Sequence, residues 1–293
     1  MKRLALFLIL IVLTGCTENE AASYTIKRIE GHKKEENSDF FTGAYIEFNE
    51  NIMSTEDFEE KCGTHDVYAK EVFIDEPKEA SDFILMCYAK EKTPYIIIRN
   101  REDFGELRFR QHADKMAAAI GKYQVEVMVE ILENSYYYDE NEYLAKTISE
   151  ENNKAIKVWS VRYDDVILAE KNVPDYADMV CVNGYIKDEN SIKRFFDLND
   201  DIDKDIIIRF GAAVYSSEDC TYRTEEVFDT INYAYDRISD DKRYRGIIYM
   251  NKSEKLSKKV AYTDYSVISD KKLSEKYKEL IENINKEADD IGK

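Results

Sequence analysis

Eight short runs of β-branched and aromatic residues recur along this chain, with stretches of helical spacing between most of them, and that alternation constrains the fold more than any other feature. The runs are "TGAYIEF" (42–48), "DVYAKEVFI" (66–74), "PYIIIRN" (94–100), "VEVMVEIL" (125–132), "AIKVWSV" (155–161), "DMVCVNGY" (178–185), "DIIIRFG" (205–211) and "RGIIYMN" (245–251). Several are apolar almost throughout, as parallel strands covered on both faces require. The intervening segments carry helix signals. Ser54 or Thr55 can cap "STEDFEEKC", and Pro77 suits the first turn of a helix over 77–92 that buries Phe83, Ile84, Cys87 and Tyr88. Gly121 is placed as the C-terminal cap of a helix over 107–121. Further helical patterns cover 139–152, 189–199, 223–238 and 270–288, the last with Tyr277 and Ile281 on its apolar stripe, while the fifth connection is only weakly helical. Strand and helix thus alternate eight times, which predicts a (β/α)8 TIM barrel over residues 41–293. An open doubly wound sheet is the alternative. It lacks the glycine-rich phosphate loop that would recommend it, so no nucleotide or other cofactor is expected.

The N-terminus reads differently. "MKRLALFLILIVLTGC" has Lys2 and Arg3 ahead of an apolar run too short to span a bilayer, then small residues before Cys16. This is the pattern of a secretory signal over 1–15. "LTGC" resembles a bacterial lipobox, which implies that Cys16 carries the lipid and that the chain is held at the outer face of the cell membrane. Residues 17–40 are polar and without apolar period, and read as a flexible linker. The formal net charge of −18 argues against nucleic acid as a partner. Cys62, Cys87, Cys181 and Cys220 stand isolated, with no C-x-x-C pair, and the three histidines are scattered, so no metal site is expected. Two disulfides are compatible with an even count, but the apolar context of Cys87 and Cys181 suits buried thiols equally.

In a barrel of this kind, function gathers at the C-terminal ends of the strands. Those ends here offer Glu130, Glu133 and Asn134, then Trp159, Asn183 and Tyr185, then Arg209 and Tyr249. Amides and carboxylates hydrogen-bond sugar hydroxyls, and aromatic faces stack on the C–H faces of sugar rings.

The second half of the chain resembles glycoside hydrolase family 26, the β-mannanase-type barrels. "YQVEVMVEILEN" is similar to that family's fourth strand, and "IKVWSV" to its fifth, with Trp159 at the usual tryptophan. "PDYADMVCVNGY" is similar to its sixth, through Tyr176, Asp178, Asn183, Gly184 and Tyr185. "DKDIIIRFGA" and "YRGIIYMN" are similar to the seventh and eighth. The resemblance implies double displacement at the anomeric carbon. A strand-four glutamate then serves as acid/base and a strand-seven glutamate as nucleophile, their carboxyls roughly 5 to 5.5 Å apart.

The sequence departs from that pattern on both strands. Glu133 is the better acid/base candidate, because it ends the strand and precedes Asn134; Glu130 is the second. At the nucleophile position stands Arg209. A guanidinium cannot attack an anomeric carbon, and placed beside Glu133 it would favour the ionised carboxylate, the wrong state for an acid. The expectation is therefore a membrane-anchored barrel that binds polysaccharide or cell-wall glycan through Arg209, Asn134, Trp159, Asn183, Tyr185 and Tyr249 without retaining hydrolysis. Two alternatives stay open. One is an active hydrolase using displaced acids such as Glu47, Glu218 or Asp219, and the other is a non-catalytic scaffold lipoprotein.

Overall fold

A computed structural model describes residues 41–46, 59–60, 63–101, 104–131, 138–162, 173–184, 204–211, 214–215, 243–250, 253–255 and 262–264, together with 275, 277–279 and 281–283. The signal segment, Cys16 and the linker lie outside the described residues, as do the helices expected over 189–199 and 223–238.

The predicted alternation closes into a barrel. Its strands are β1 (Phe41–Tyr45), β2 (Val67–Phe73), β3 (Thr93–Arg99), β4 (Val127–Ile131), β5 (Ala155–Arg162), β6 (Met179–Gly184), β7 (Asp205–Gly211) and β9 (Tyr244–Met250). Each pairs in parallel with the next, and β9 returns to β1. All eight sequence runs thus supply the eight barrel strands, and the fold is the (β/α)8 barrel rather than the open sheet.

Pleating divides these strands between two cores. Val67, Ala69, Tyr95, Ile97, Met128, Val158, Cys181, Ile207 and Ile248 face inward and fill the barrel. Tyr68, Val72, Ile96, Ile98, Val129, Val180, Ile206 and Ile208 face outward and pack under the helices. Two-sided burial explains why these runs lack the apolar–polar alternation of a half-exposed sheet.

Three of the described connections are full helices: α1 (Pro77–Ala89), α2 (Glu106–Gly121) and α3 (Tyr138–Glu151). α1 starts on its proline and buries Phe83, Ile84, Cys87 and Tyr88 as the spacing predicts. α2 buries Phe109, Ala113, Met116, Ala117 and Ile120, one stripe at helical period. Tyr277 and Ile281, from the predicted C-terminal helix, are buried in the same outer core. Gly121 plays another part than expected. The left-handed residue after α2 is Gln124, at φ 51°, and not the glycine. What Gly121 provides is room, since a Cβ there would lie 2.6 Å from the Glu151 carbonyl oxygen at the end of α3.

One element had no sequence signal. The segments that follow β7 and β9 pair with each other as a small antiparallel sheet, in the order β10 (Ser253–Lys255), β11 (Tyr262–Asp264), β8 (Val214–Tyr215). It lies just beyond the C-terminal ends of two barrel strands, the end where barrels of this class place their sites.

Candidate functional site

The inner face of β4 carries Met128 and then Glu130, and that of β7 carries Ile207 and then Arg209. Both charged residues are therefore pointed into the barrel by the same pleat that buries their neighbours. There they meet. Arg209 Nη2 donates to Glu130 Oε1 at 2.8 Å, with Glu130 fully buried and Arg209 7% exposed. Arg209 Nη2 also lies 3.3 Å from Ser160 Oγ on β5, and the Tyr95 hydroxyl on β3 donates to Glu130 Oε2. Four strands thus converge on one ion pair.

Burial governs the electrostatics of this group. It holds the Tyr95 phenol well above its ordinary range, with Cys181 and Glu130 adding to the effect, so Tyr95 is a neutral donor. Burial alone would draw the Arg209 guanidinium down, but Glu130, Cys181 and Tyr95 outweigh it and the net shift is upward. Burial also pushes the Cys181 thiol up to about 12, against the opposing pull of Arg209. A charged pair out of water persists only if its geometry and remaining hydrogen bonds are satisfied, and here each carboxylate oxygen accepts a bond. The arginine offers no lone pair for nucleophilic attack.

The candidate residues separate accordingly. Arg209 and Glu130 come together, whereas the expected partner of Arg209, Glu133, lies outside the described residues with Asn134 and Tyr185. The displaced acids Glu47, Glu218 and Asp219 lie there too. Asn183 is the register partner of Arg209 on β6, and Tyr249 on β9 stands opposite Ala44 and Phe210. Trp159 is not brought to the group. It alternates with the inward Val158 and Ser160, and packs against the outer core instead. A strand-end tryptophan one residue out of phase faces the helices, whatever its place in a motif.

Tyr95 had no sequence signal as a site residue, because the "PYIIIRN" run reads as plain strand. The clue was positional: Tyr95, Ile97 and Arg99 alternate, so the tyrosine shares the inward face. Cys87 and Cys181 are buried free thiols. No group of metal-ligating side chains occurs among the described residues, and none of their helices is long and apolar enough to cross a membrane.

No family model and no curated protein sequence matches the chain. Solved structures do. A family GH113 β-mannanase from Alicyclobacillus acidocaldarius superposes with a TM-score of 0.53 at 8% identity, over 75% of this chain and 88% of that one. A modular endo-β-1,4-mannanase of glycoside hydrolase family 26 from Cellulomonas fimi gives a TM-score of 0.53 at 8% identity, over 72% of this chain and 64% of its own. The catalytic core of a xylanase A gives 0.51 at 13% identity, over 77% and 92%. The fold is therefore a (β/α)8 barrel similar to those of these enzymes. At such identities the likeness is one of fold.

Proposed function

We propose that this chain is an extracytoplasmic, lipid-anchored barrel that binds polysaccharide or cell-wall glycan at its C-terminal face and does not hydrolyse it by the retaining route. The carrying observation is the buried Arg209–Glu130 pair. Strands four and seven are the two that supply the paired glutamates in the family this sequence resembles, and retaining chemistry needs two carboxyls roughly 5 to 5.5 Å apart. Here those strands contribute a cation and an anion in contact, at 2.8 Å. The glycosidase-like fold supports a sugar as ligand. The apolar run before Cys16 and the lipobox-like "LTGC" support the anchor.

Titration calorimetry of the mature chain against mannans, glucans and peptidoglycan fragments tests the reading. Binding without release of reducing sugar is expected, and no binding at millimolar ligand sinks it. Sugar release that disappears in Glu133→Gln would instead establish an active hydrolase with displaced carboxylates.

A further inference from the structure

The barrel mouth between β2 and β3 holds side chains that the Arg209–Glu130 group does not use. Inward positions climb β2 as Ala69, Glu71 and Phe73, and climb β3 as Ile97 and Arg99. Exposure rises with the climb, from a fully buried Ala69 to a Phe73 that is 38% exposed. Phe73 and Arg99 are register partners, and Arg99 donates to Glu71. Arg101, just beyond β3, lays its guanidinium over the Phe73 ring with Cζ 3.5 Å from the centroid. Its Nε donates to Asp75 at 3.0 Å and its Nη2 to Glu76 at 3.1 Å, both in the segment that follows β2.

This arrangement is built and not incidental. Only Phe73 and Leu107 are large apolar residues left exposed among the described residues, and Leu107 lies in the first turn of α2. The stacked guanidinium and its two carboxylates fix the ring's surroundings in advance, so ordering them on binding costs little. Asp75 and Glu76 hold further acceptor lone pairs beside the ring, suited to hydroxyl donors. Among the described residues, three carboxylates face two guanidiniums at this rim, on a chain whose formal net charge is −18. Such a rim repels a carboxylated sugar.

We infer that Phe73 and Arg101 form a platform on which one uncharged pyranose ring of a glycan stacks, with Asp75 and Glu76 accepting from its hydroxyls. The inference rests on the glycan-binding reading above. The C–H face of the sugar meets the exposed part of the Phe73 ring, and Arg101 stiffens that ring from its other side.

The test titrates the wild-type chain and the Phe73→Ala, Phe73→Tyr and Arg101→Gln variants with hexasaccharides of mannose, glucose, xylose and galacturonic acid. At least one neutral hexasaccharide is expected to bind. Its affinity should fall about tenfold in Phe73→Ala, fall less in Arg101→Gln and persist in Phe73→Tyr, with unchanged thermal melting in all. Equal affinity in wild type and Phe73→Ala, or a preference for the galacturonic acid hexamer, overturns the platform while leaving glycan binding in place. A wild type that binds none of the sugars overturns both.

Discussion

Arg209 shows how one side chain sets the character of a site. It is held charged inside a barrel whose other inward residues are mostly apolar, and its stability there depends on Glu130. Arg209→Met should destabilise the fold by about 3–5 kcal/mol, because it leaves a buried carboxylate without its cation. The double variant Arg209→Met with Glu130→Leu should recover most of that loss. Urea denaturation of the three chains measures it, and a harmless single variant would mean the pair is not buried in solution. A second prediction concerns alkali. The Cys181 thiol, raised to about 12 in the fold, sits at about 8.5 in an unfolded chain. Between those values the unfolded state releases a proton that the folded state keeps. The stabilisation is complete below the unfolded value and is lost as pH rises through the folded one. Tyr95, also raised by burial, acts in the same direction above about pH 10. Stability should therefore fall between about pH 8.5 and 11, with each such group adding up to about 1.4 kcal/mol per pH unit. Thermal melts across that range should show a shallower decline in Cys181→Ala.

Among the elements, α2 and α3 meet in a joint of close backbone packing. Asn152, fully buried, donates to the carbonyls of Ile120 and Val125 at 3.3 and 2.9 Å, and so ties the end of α3 to the end of α2. Gly121 makes that approach available. Gly121→Ala improves helix propensity by about 1 kcal/mol in isolation, yet here its methyl would meet the Glu151 carbonyl oxygen. A net loss of about 1–3 kcal/mol is expected, read as a lowered melting temperature. A stabilised variant would show that the two helices part easily. The sequence marked Gly121 correctly as a special position and for the wrong reason. A glycine ending a helical pattern suggests a left-handed cap, whereas a close approach by a helix thirty positions away leaves no local trace.

For the whole molecule, the proposed anchor makes its own prediction. Cys16→Ser should move the protein expressed in a bacterial host from the detergent phase to the aqueous phase on phase partitioning, and lipid labelling should be lost. Retention of the mutant in the membrane fraction would count against lipid attachment at this cysteine. The small sheet of β8, β10 and β11 adds a feature at the same scale. Its three short strands pair across the segments that follow β7 and β9.

By itself the sequence determined the class of fold. Eight apolar runs at steady intervals, each able to be buried on both faces, have few ways to satisfy their backbone hydrogen bonds, and a closed parallel barrel satisfies them all. It also marked Arg209, because charge inside an apolar run is visible without coordinates, and it named Glu130 as an acid only second to Glu133. Which acid Arg209 meets was decided only by the tertiary structure. Pleat phase turned Glu130 inward and Trp159 outward, and barrel closure brought residues 79 positions apart into contact. The rim of Phe73, Arg99 and Arg101 was equally hidden, since a partner across two strands is set by register and twist. Local composition encodes burial and period; contact between distant strands is a property of the closed sheet.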